Sequence, residues 1–141
     1  MATDLKKQTK ALYSAFNKHD LEKFLSFHTD DVVTESVPDG SVIKGKDALR
    51  DYLNGYYTGF SDFKMAMTSC VISGNRQYEE YIATGTHTGA FQGIPASGNK
   101  ISLRGILVRE LKRGKTSRVI NYFDSATVLR QLGVLPTPSQ K

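Results

Sequence analysis

The chain has 141 residues, of which 39% are hydrophobic and 23% charged, and it contains one cysteine, Cys70. This length is typical of a single domain, which would here span residues 1–141 and bury roughly two-thirds of its unfolded surface. A lone cysteine excludes an internal disulfide and a cysteine-rich metal site. The composition is that of a globular protein with room for one small cavity.

The net charge of +5 raises the question of nucleic-acid binding. Much of the excess lies in residues 100–118, where Lys112, Arg113 and Lys115 surround Gly114 and are typical of a solvated hairpin tip. The stacking aromatics or recognition helix that usually accompany a basic nucleic-acid site are not evident. No apolar run approaches the roughly 18 residues of a membrane span, and the first residues lack the apolar region of a signal peptide. We therefore expect a cytoplasmic protein that binds neither nucleic acid nor a membrane.

Hydrophobic residues recur at helical spacing in the first half of the chain and alternate with polar residues in the second. Asp20 can cap a short second helix, and Pro38-Asp39-Gly40 is a strong turn signal between two short strands. Gly74-Asn75 and Arg113-Gly114-Lys115 are typical hairpin connections, whereas Gly133 lies where a helix C-cap is expected. In the first half, the pattern predicts helices over 4–18 and 21–27, an extended stretch from Val32, a strand over 41–44 and a helix over 46–57. In the second half, it predicts strands over 63–72, 78–91, 100–111 and 116–124 and a helix over 125–132. Pro136 and Pro138 mark a frayed tail. Helices first and an antiparallel meander afterwards indicate an α+β fold with the helices on one face of a sheet.

Asp124 is the carboxylate with the clearest functional position. Alternation places Ile120, Tyr122 and Asp124 on one face of the last strand. If that face lines a pocket, burial raises the pKa of Asp124 and makes it a better proton shuttle. Alternatively, Asp124 caps the closing helix that starts at Ser125. The residues alone leave both interpretations open.

His87 lies between Gly85 and Gly89, and these small neighbours leave room for a ligand to approach the imidazole. A hydrogen-bonded structural histidine is the alternative. His19 and His28 lie at helix ends, where surface or packing roles are expected, and the three histidines show no metal-ligand spacing. The sequence also shows no phosphate loop, nucleophile elbow or dinucleotide fingerprint. The motifs therefore indicate neither a metal site nor a nucleotide site.

Other polar residues are candidate ligand contacts. Glu79 and Glu80 point to opposite faces of their strand, so at most one of them faces a pocket. Arg104, on a later strand, could pair with such a carboxylate. Tyr13, one helical turn from Asn17, either packs in the core or donates a hydrogen bond into a cavity.

Three segments of the chain resemble the SnoaL-like polyketide cyclases, a family within the NTF2-like and ketosteroid-isomerase-like superfamily. They are residues 13–21, which form the helical corner, residues 85–95 with 97–100, and Asn121-Tyr122-Phe123-Asp124 running into residues 129–136. Together with the matching order of elements, the resemblance covers nearly the whole chain.

The resemblance implies an NTF2-like, cystatin-like α+β cone, in which a strongly bent, mixed but mostly antiparallel sheet and its helices enclose a largely apolar pocket. In the cyclases, the aspartate matching Asp124 acts as general acid and base in an intramolecular aldol ring closure, and a histidine matching His87 lines the pocket. No metal, nucleotide or flavin takes part, and such proteins commonly dimerise through the outer face of the sheet. We therefore predict Asp124 and His87 as catalytic residues, with no cofactor.

The expected partners are an apolar, carbonyl-containing small molecule and a second copy of the chain. We predict that Tyr13, Phe16, Arg104 and Tyr122 contact the ligand. Three functions stay open: a cofactor-independent cyclase, isomerase or lyase; a non-catalytic binding or dimerisation module; and an enzyme like the epoxide hydrolases of this fold. The last would need Asp124, Arg104 and a glutamate in one cavity.

Overall fold

Four helices and six strands follow one another in the computed structural model, which describes residues 2–136. In chain order they are α1 (Ala2–Asn17), α2 (Leu21–Ser26), β1 (His28–Ser36), β2 (Ser41–Lys44), α3 (Lys46–Gly59), β3 (Lys64–Ser73), β4 (Arg76–Thr86), β5 (Lys100–Lys112), β6 (Lys115–Phe123) and α4 (Ser125–Gln131). The helices of the first half and the meander of the second are as predicted. Pro138 of the predicted tail lies outside the described residues.

The six strands form one sheet in the order β2-β1-β6-β5-β4-β3. All neighbouring pairs are antiparallel except β1 and β6, which run parallel. The register shifts between Met67 and Ser69 on β3 and between Glu110 and Leu111 on β5. Irregularities of this kind bend a strand, so they curve the sheet around the helices. The sheet is thus mixed and mostly antiparallel, as expected.

The helices cover the concave face of the sheet through an aromatic core. Asp20 caps α2 by accepting a hydrogen bond from the Lys23 backbone N–H at 3.1 Å, which fixes the turn between α1 and α2. Phe16 on α1 then lies 5.6 Å from Phe24 and 5.8 Å from Phe63 between ring centroids. These tilted and edge-to-face aromatic contacts join the helical corner to the sheet.

β4 is shorter than the predicted strand over residues 78–91, because it ends at Thr86. The next residue, His87, still bonds to the two residues that precede β5: its N–H donates to the Asn99 carbonyl and its carbonyl accepts from the Gly98 N–H, both at 2.8 Å. The chain between these partners leaves the sheet as a loop.

This loop, residues 87–99, folds onto the C-terminal end of α3. The backbone N–H groups of Thr88 and Gly89 donate to the Gly59 carbonyl at 3.0 and 3.1 Å. Gly59 is in contact with Phe91, whose ring is buried. The loop therefore places Phe91 against the core instead of extending β4.

Two glycines of α3 provide a matched test of this contact. A Cβ at exposed Gly55 meets nothing within 4 Å, so Gly55→Ala should raise the free energy of unfolding by about 0.5–1 kcal/mol. A Cβ at Gly59 would lie 2.8 Å from the Phe91 Cβ, so Gly59→Ala should lower the free energy of unfolding by about 1–3 kcal/mol. Urea denaturation of both variants measures the difference, and equal stabilisation would show that the loop does not pack closely on α3.

Candidate functional site

A cavity of about 320 Å³ lies between the helices and the concave face of the sheet. This volume is at the lower end of the range for sites that bind small molecules. Most of the wall is apolar, with Leu12 and Phe16 on α1, Leu49 and Leu53 on α3, and Leu103 and Leu107 on β5. Phe24 on α2 and Val128 and Leu129 on α4 also line the cavity, so α1, α2, α3 and α4 all contribute to its wall.

Two of the four predicted ligand contacts line this cavity, namely Tyr13 and Phe16. The other two do not: Arg104 and Tyr122 lie on the convex face of the sheet, where they border a shallow groove with Glu80 and Ile106. The prediction that Arg104 and Tyr122 reach the cavity is therefore wrong.

For Tyr122, the prediction chose the wrong face of β6 as the one that lines the cavity. The strand turns Val119, Asn121 and Phe123 towards the cavity and leaves Tyr122 exposed. Both faces of this strand carry apolar and aromatic residues, so alternation separates the two sets without indicating which of them faces inward.

Asp124 follows the cavity-lining Phe123 and precedes the cavity-lining Ser125, yet its own side chain turns away to the start of α4. One carboxylate oxygen accepts from the Ala126 N–H at 3.0 Å and the other from the Thr127 hydroxyl at 2.9 Å. The hydrogen bond from Thr127 is the main cause that lowers the pKa of Asp124, against the rise expected for a buried acid. In this structure Asp124 is a helix cap, the alternative that the sequence left open.

His87 is fully buried but does not line the cavity. Its ring lies behind Phe60, with 5.4 Å between the centroids, and Phe60 forms the wall at that position. The Nδ1 atom accepts from the Ser97 N–H at 3.2 Å and contacts the Ser97 hydroxyl at 2.8 Å. The Nε2 atom is buried without a hydrogen-bond partner among residues 2–136. These contacts connect the two ends of the 87–99 loop.

The closed end of the cavity is bordered by an ion pair that the sequence pattern did not predict: Arg109 lines the wall and Glu79 lies behind it. The Arg109 guanidinium donates to both Glu79 oxygens, at 2.7 and 3.1 Å, and both side chains are almost completely buried. The Tyr13 hydroxyl donates to Glu79 at 2.9 Å and the Gln77 amide donates to it at 3.2 Å. Arg109 also donates to the Thr116 hydroxyl at 3.1 Å. Such a pair is tolerated in the interior because its charges are compensated and its hydrogen bonds are made.

These contacts determine the charges at the closed end. Burial opposes the charge of Arg109, but Glu79 raises the pKa of the guanidinium above its usual value. Burial and the charge of Glu79 together raise the pKa of Tyr13, so its hydroxyl stays protonated. Tyr13 and Arg109 both line the cavity. This end is therefore polar but carries no net charge.

His28, expected to be a surface or packing residue, also lines the cavity. Its Nδ1–H donates to the Phe24 carbonyl at 2.9 Å, which leaves Nε2 as the nitrogen available to a ligand. Burial, followed by the positive charge of Arg109, lowers the pKa of His28 to about 3. The imidazole is thus neutral and offers a lone pair.

A second group of polar side chains lines the cavity at its other end. The Tyr81 hydroxyl donates to Asn121 Oδ1 at 2.7 Å, and the Tyr52 and Tyr56 hydroxyls lie 3.3 Å apart. Asp39, in the turn between β1 and β2, also lines the cavity there. The turn is held beside Asn121, whose carbonyl accepts from the N–H of Val37 at 3.0 Å.

Within residues 2–136, no three His, Cys, Asp or Glu side chains are grouped as a metal site would need. No helix of this part of the chain is long and apolar enough to cross a membrane.

The lowered pKa of His28 predicts a stability that depends on pH. An unfolded histidine titrates near 6.5, so between pH 6.5 and 3 the unfolded chain binds a proton that the folded protein excludes. Between pH 6 and pH 4, the free energy of unfolding of the wild type should therefore fall by about 2 kcal/mol more than that of His28→Gln does. Urea denaturation across this range gives the two slopes. Parallel slopes would show that His28 does not exclude the proton.

The comparison with protein-family models identifies one family. The family model for the SnoaL-like polyketide cyclases matches residues 7–132, from α1 to just past α4. No curated protein sequence matches the chain significantly.

Solved structures share the fold at low sequence identity. They include AclR, a proposed hydroxylase from Streptomyces galilaeus (TM-score 0.86, 20% identity, 98% of this chain and 90% of that one). A proposed SnoaL-like polyketide cyclase from Jannaschia sp. CCS1 has a TM-score of 0.85 at 14% identity, over 95% of this chain and 94% of that one. IdmH, a proposed polyketide cyclase from Streptomyces antibioticus, has a TM-score of 0.79 at 22% identity, over 92% of this chain and 99% of that one. These likenesses confirm the predicted NTF2-like α+β fold. Because the family model matches residues 7–132, which is most of this chain, the chain belongs to the SnoaL-like polyketide cyclase family.

Proposed function

We propose that the cavity binds an apolar, carbonyl-containing small molecule and that the protein moves protons on it without a cofactor, as a cyclase or isomerase does. The observation that supports this most is the contrast within the cavity wall, where apolar side chains surround two small polar ends. Apolar walls provide affinity by burying surface, and a few fixed polar groups orient the ligand. A substrate that supplies its own electrophile and nucleophile needs only folding, proton transfer and exclusion of water.

The closed end suits an uncharged oxygen of the ligand. His28 Nε2 can accept a hydrogen bond, and the Tyr13 oxygen, whose proton is used on Glu79, can accept another. Charge neutrality between Arg109 and Glu79 offers nothing to attract an anion. A ligand hydroxyl, which has one proton to donate, can bind to either of these two acceptors.

Proton transfer is assigned to Asp39 at the opposite end. Among the described carboxylates, Asp39 is the one that lines the cavity. Burial acts to raise the pKa of Asp39, but the hydrogen bonds that it accepts, among them one from the Ser41 N–H at 3.0 Å, together lower it, so the group is ionised at neutral pH and able to accept a proton. The Tyr52 and Tyr56 hydroxyls border the same end.

Asp124 is the competing candidate, since it matches the aspartate that acts in the cyclases. As a cap it holds α4, whose Val128 and Leu129 line the cavity, and a catalytic role would require it to leave the Ala126 N–H. We assign it the capping role.

A non-catalytic binding module is the second candidate function. It is favoured by one observation, namely that His87 and Asp124, the two predicted catalytic residues, both lie outside the cavity wall. The epoxide-hydrolase alternative loses support, because Asp124 borders neither the cavity nor the groove on the convex face where Arg104 lies beside Glu80.

Hydrogen–deuterium exchange of a simple ketone tests the enzyme proposal without knowledge of the natural substrate. The wild-type protein should accelerate exchange of the α-protons of 2-tetralone in D₂O over buffer alone, followed by NMR. Asp39→Asn, which keeps the shape but removes the base, should slow the exchange about 10²-fold. Asp124→Asn should leave it unchanged, because asparagine is as good a helix cap as aspartate.

Two results would contradict this assignment. Loss of exchange in Asp124→Asn, with thermal unfolding unchanged, would move the base from Asp39 to Asp124. Exchange no faster than in buffer, despite binding of the ketone, would leave the binding module as the function.

We also propose that the chain forms a homodimer through the convex face of the sheet. Tyr78, Ile106 and Tyr122 lie on adjacent strands of this face and are 39%, 40% and 46% exposed. Glu80 and Arg104 border the same patch, so two copies related by a twofold axis can pair opposite charges around an apolar centre.

Sedimentation equilibrium tests the dimer. Ile106→Asp should place a charge at the centre of the interface and convert the wild-type dimer to a monomer. Val42→Asp, which changes another exposed apolar residue, on the edge strand β2, should not. A wild-type monomer, or a dimer that survives Ile106→Asp, would contradict the proposed interface.

A further inference from the structure

Gly105 is an unexpected residue in the middle of β5. A glycine inside a strand weakens it, because it loses more conformational entropy on folding and has no side chain to pack. Here the reason is visible on the neighbouring strand: Gly105 is the Cα partner of Tyr81 on β4. A Cβ at position 105 would overlap the hydroxyl end of the Tyr81 ring. The missing side chain therefore provides the space in which the ring lies across β5.

Because its ring crosses β5, Tyr81 reaches the next strand and donates its proton to Asn121 Oδ1 on β6 at 2.7 Å. Both residues line the cavity. Burial raises the pKa of Tyr81 to about 12, so the hydroxyl remains a donor throughout the physiological range. The contact is short, joins residues 40 positions apart in the chain, and depends on the glycine between them.

This contact determines what Asn121 presents to the cavity. An amide side chain has one acceptor oxygen and one donor nitrogen. With Oδ1 engaged by Tyr81, the group that remains is Nδ2, which makes no hydrogen bond within residues 2–136. Asn121 is only half-buried and belongs to the cavity wall, so a ligand can reach this donor.

We propose that Asn121, held by Tyr81 over Gly105, binds a carbonyl oxygen of the ligand through its Nδ2 donor. The inference rests on the proposed function and specifies one subsite of it. A carbonyl or enolate oxygen is the acceptor that a fixed amide donor recognises, and the same donor stabilises negative charge as it develops on that oxygen. Neither residue was singled out by the sequence for this role.

The position of the subsite fits the proton transfer assigned above. The Asn121 backbone carbonyl accepts from the Val37 N–H at 3.0 Å, at the start of the turn that carries Asp39. A carbonyl bound to Asn121 thus has its neighbouring carbon at the same end of the cavity as the carboxylate. Tyr81 contacts no ligand in this arrangement and acts as a positioning residue.

A pair of probes of equal shape tests the subsite: 9-fluorenone, which has a carbonyl, and fluorene, which has a methylene group in its place. The wild type should bind fluorenone about tenfold more tightly than fluorene, as expected for one hydrogen bond. The carbonyl stretching band of bound fluorenone should move to lower frequency in the infrared spectrum. In Asn121→Leu both the preference and the shift should disappear while fluorene still binds, which also shows that the variant is folded.

Two further variants separate positioning from simple contact. Tyr81→Phe frees the Asn121 amide to rotate, so the preference for fluorenone over fluorene should drop about threefold and the carbonyl band of bound fluorenone should broaden. Gly105→Ala displaces the Tyr81 ring and should have the same effect although neither polar residue is changed. Gln92→Leu removes another amide that lines the cavity and is the matched control, in which preference and band position should persist.

The results distinguish failure of the subsite from failure of the function. Equal binding of both probes to the wild type, or a preference and band shift that survive Asn121→Leu, overturns the subsite and leaves ligand binding in the cavity intact. If neither probe binds the wild type, the proposed ligand class is wrong and the subsite falls with it.

Discussion

The buried pair of Glu79 and Arg109 is the constraint on which the closed end of the cavity depends. Taking two charges out of water costs several kcal/mol for each ion, and their attraction offsets this only when geometry and hydrogen bonding are good. Arg109 meets both oxygens of Glu79, and Tyr13 adds a third hydrogen bond from α1. Two strands and a helix are thereby fixed relative to one another. Loss of either charge would leave the other one buried and unpaired.

The pair also controls the chemistry of the space beside it. Its positive member lies close enough to His28 to help lower the pKa of that imidazole, which stays neutral as a result. Its negative member holds the proton of Tyr13. Tyr13, His28 and Arg109 line this end of the cavity and Glu79 lies behind it, and the end consequently presents no net charge. This explains how an apolar ligand and a buried ion pair can share one interior.

Local features of the fold could be predicted from sequence, because each depends on neighbours along the chain. Asp20 at the start of α2 and Gly133, with its φ of 83° after α4, occupy the cap positions that their residue types indicate. The cap at Asp124 is equally local: its partners are two and three residues away. The resemblance assigned the same aspartate to catalysis, and no local signal could decide between the two roles.

The candidate site could not be predicted to the same extent, because its decisive contacts are long-range. Tyr81 reaches Asn121 across an intervening strand, and the space for this contact comes from Gly105, so three distant positions must be considered together. Arg109 did leave a signal, since it is a charged residue within the inward, otherwise apolar set of β5. A charge in that position indicates a compensated pair because an isolated one would be too costly to bury. Identification of its partner still required the register of β4 on β5, which the pattern of a single strand does not contain.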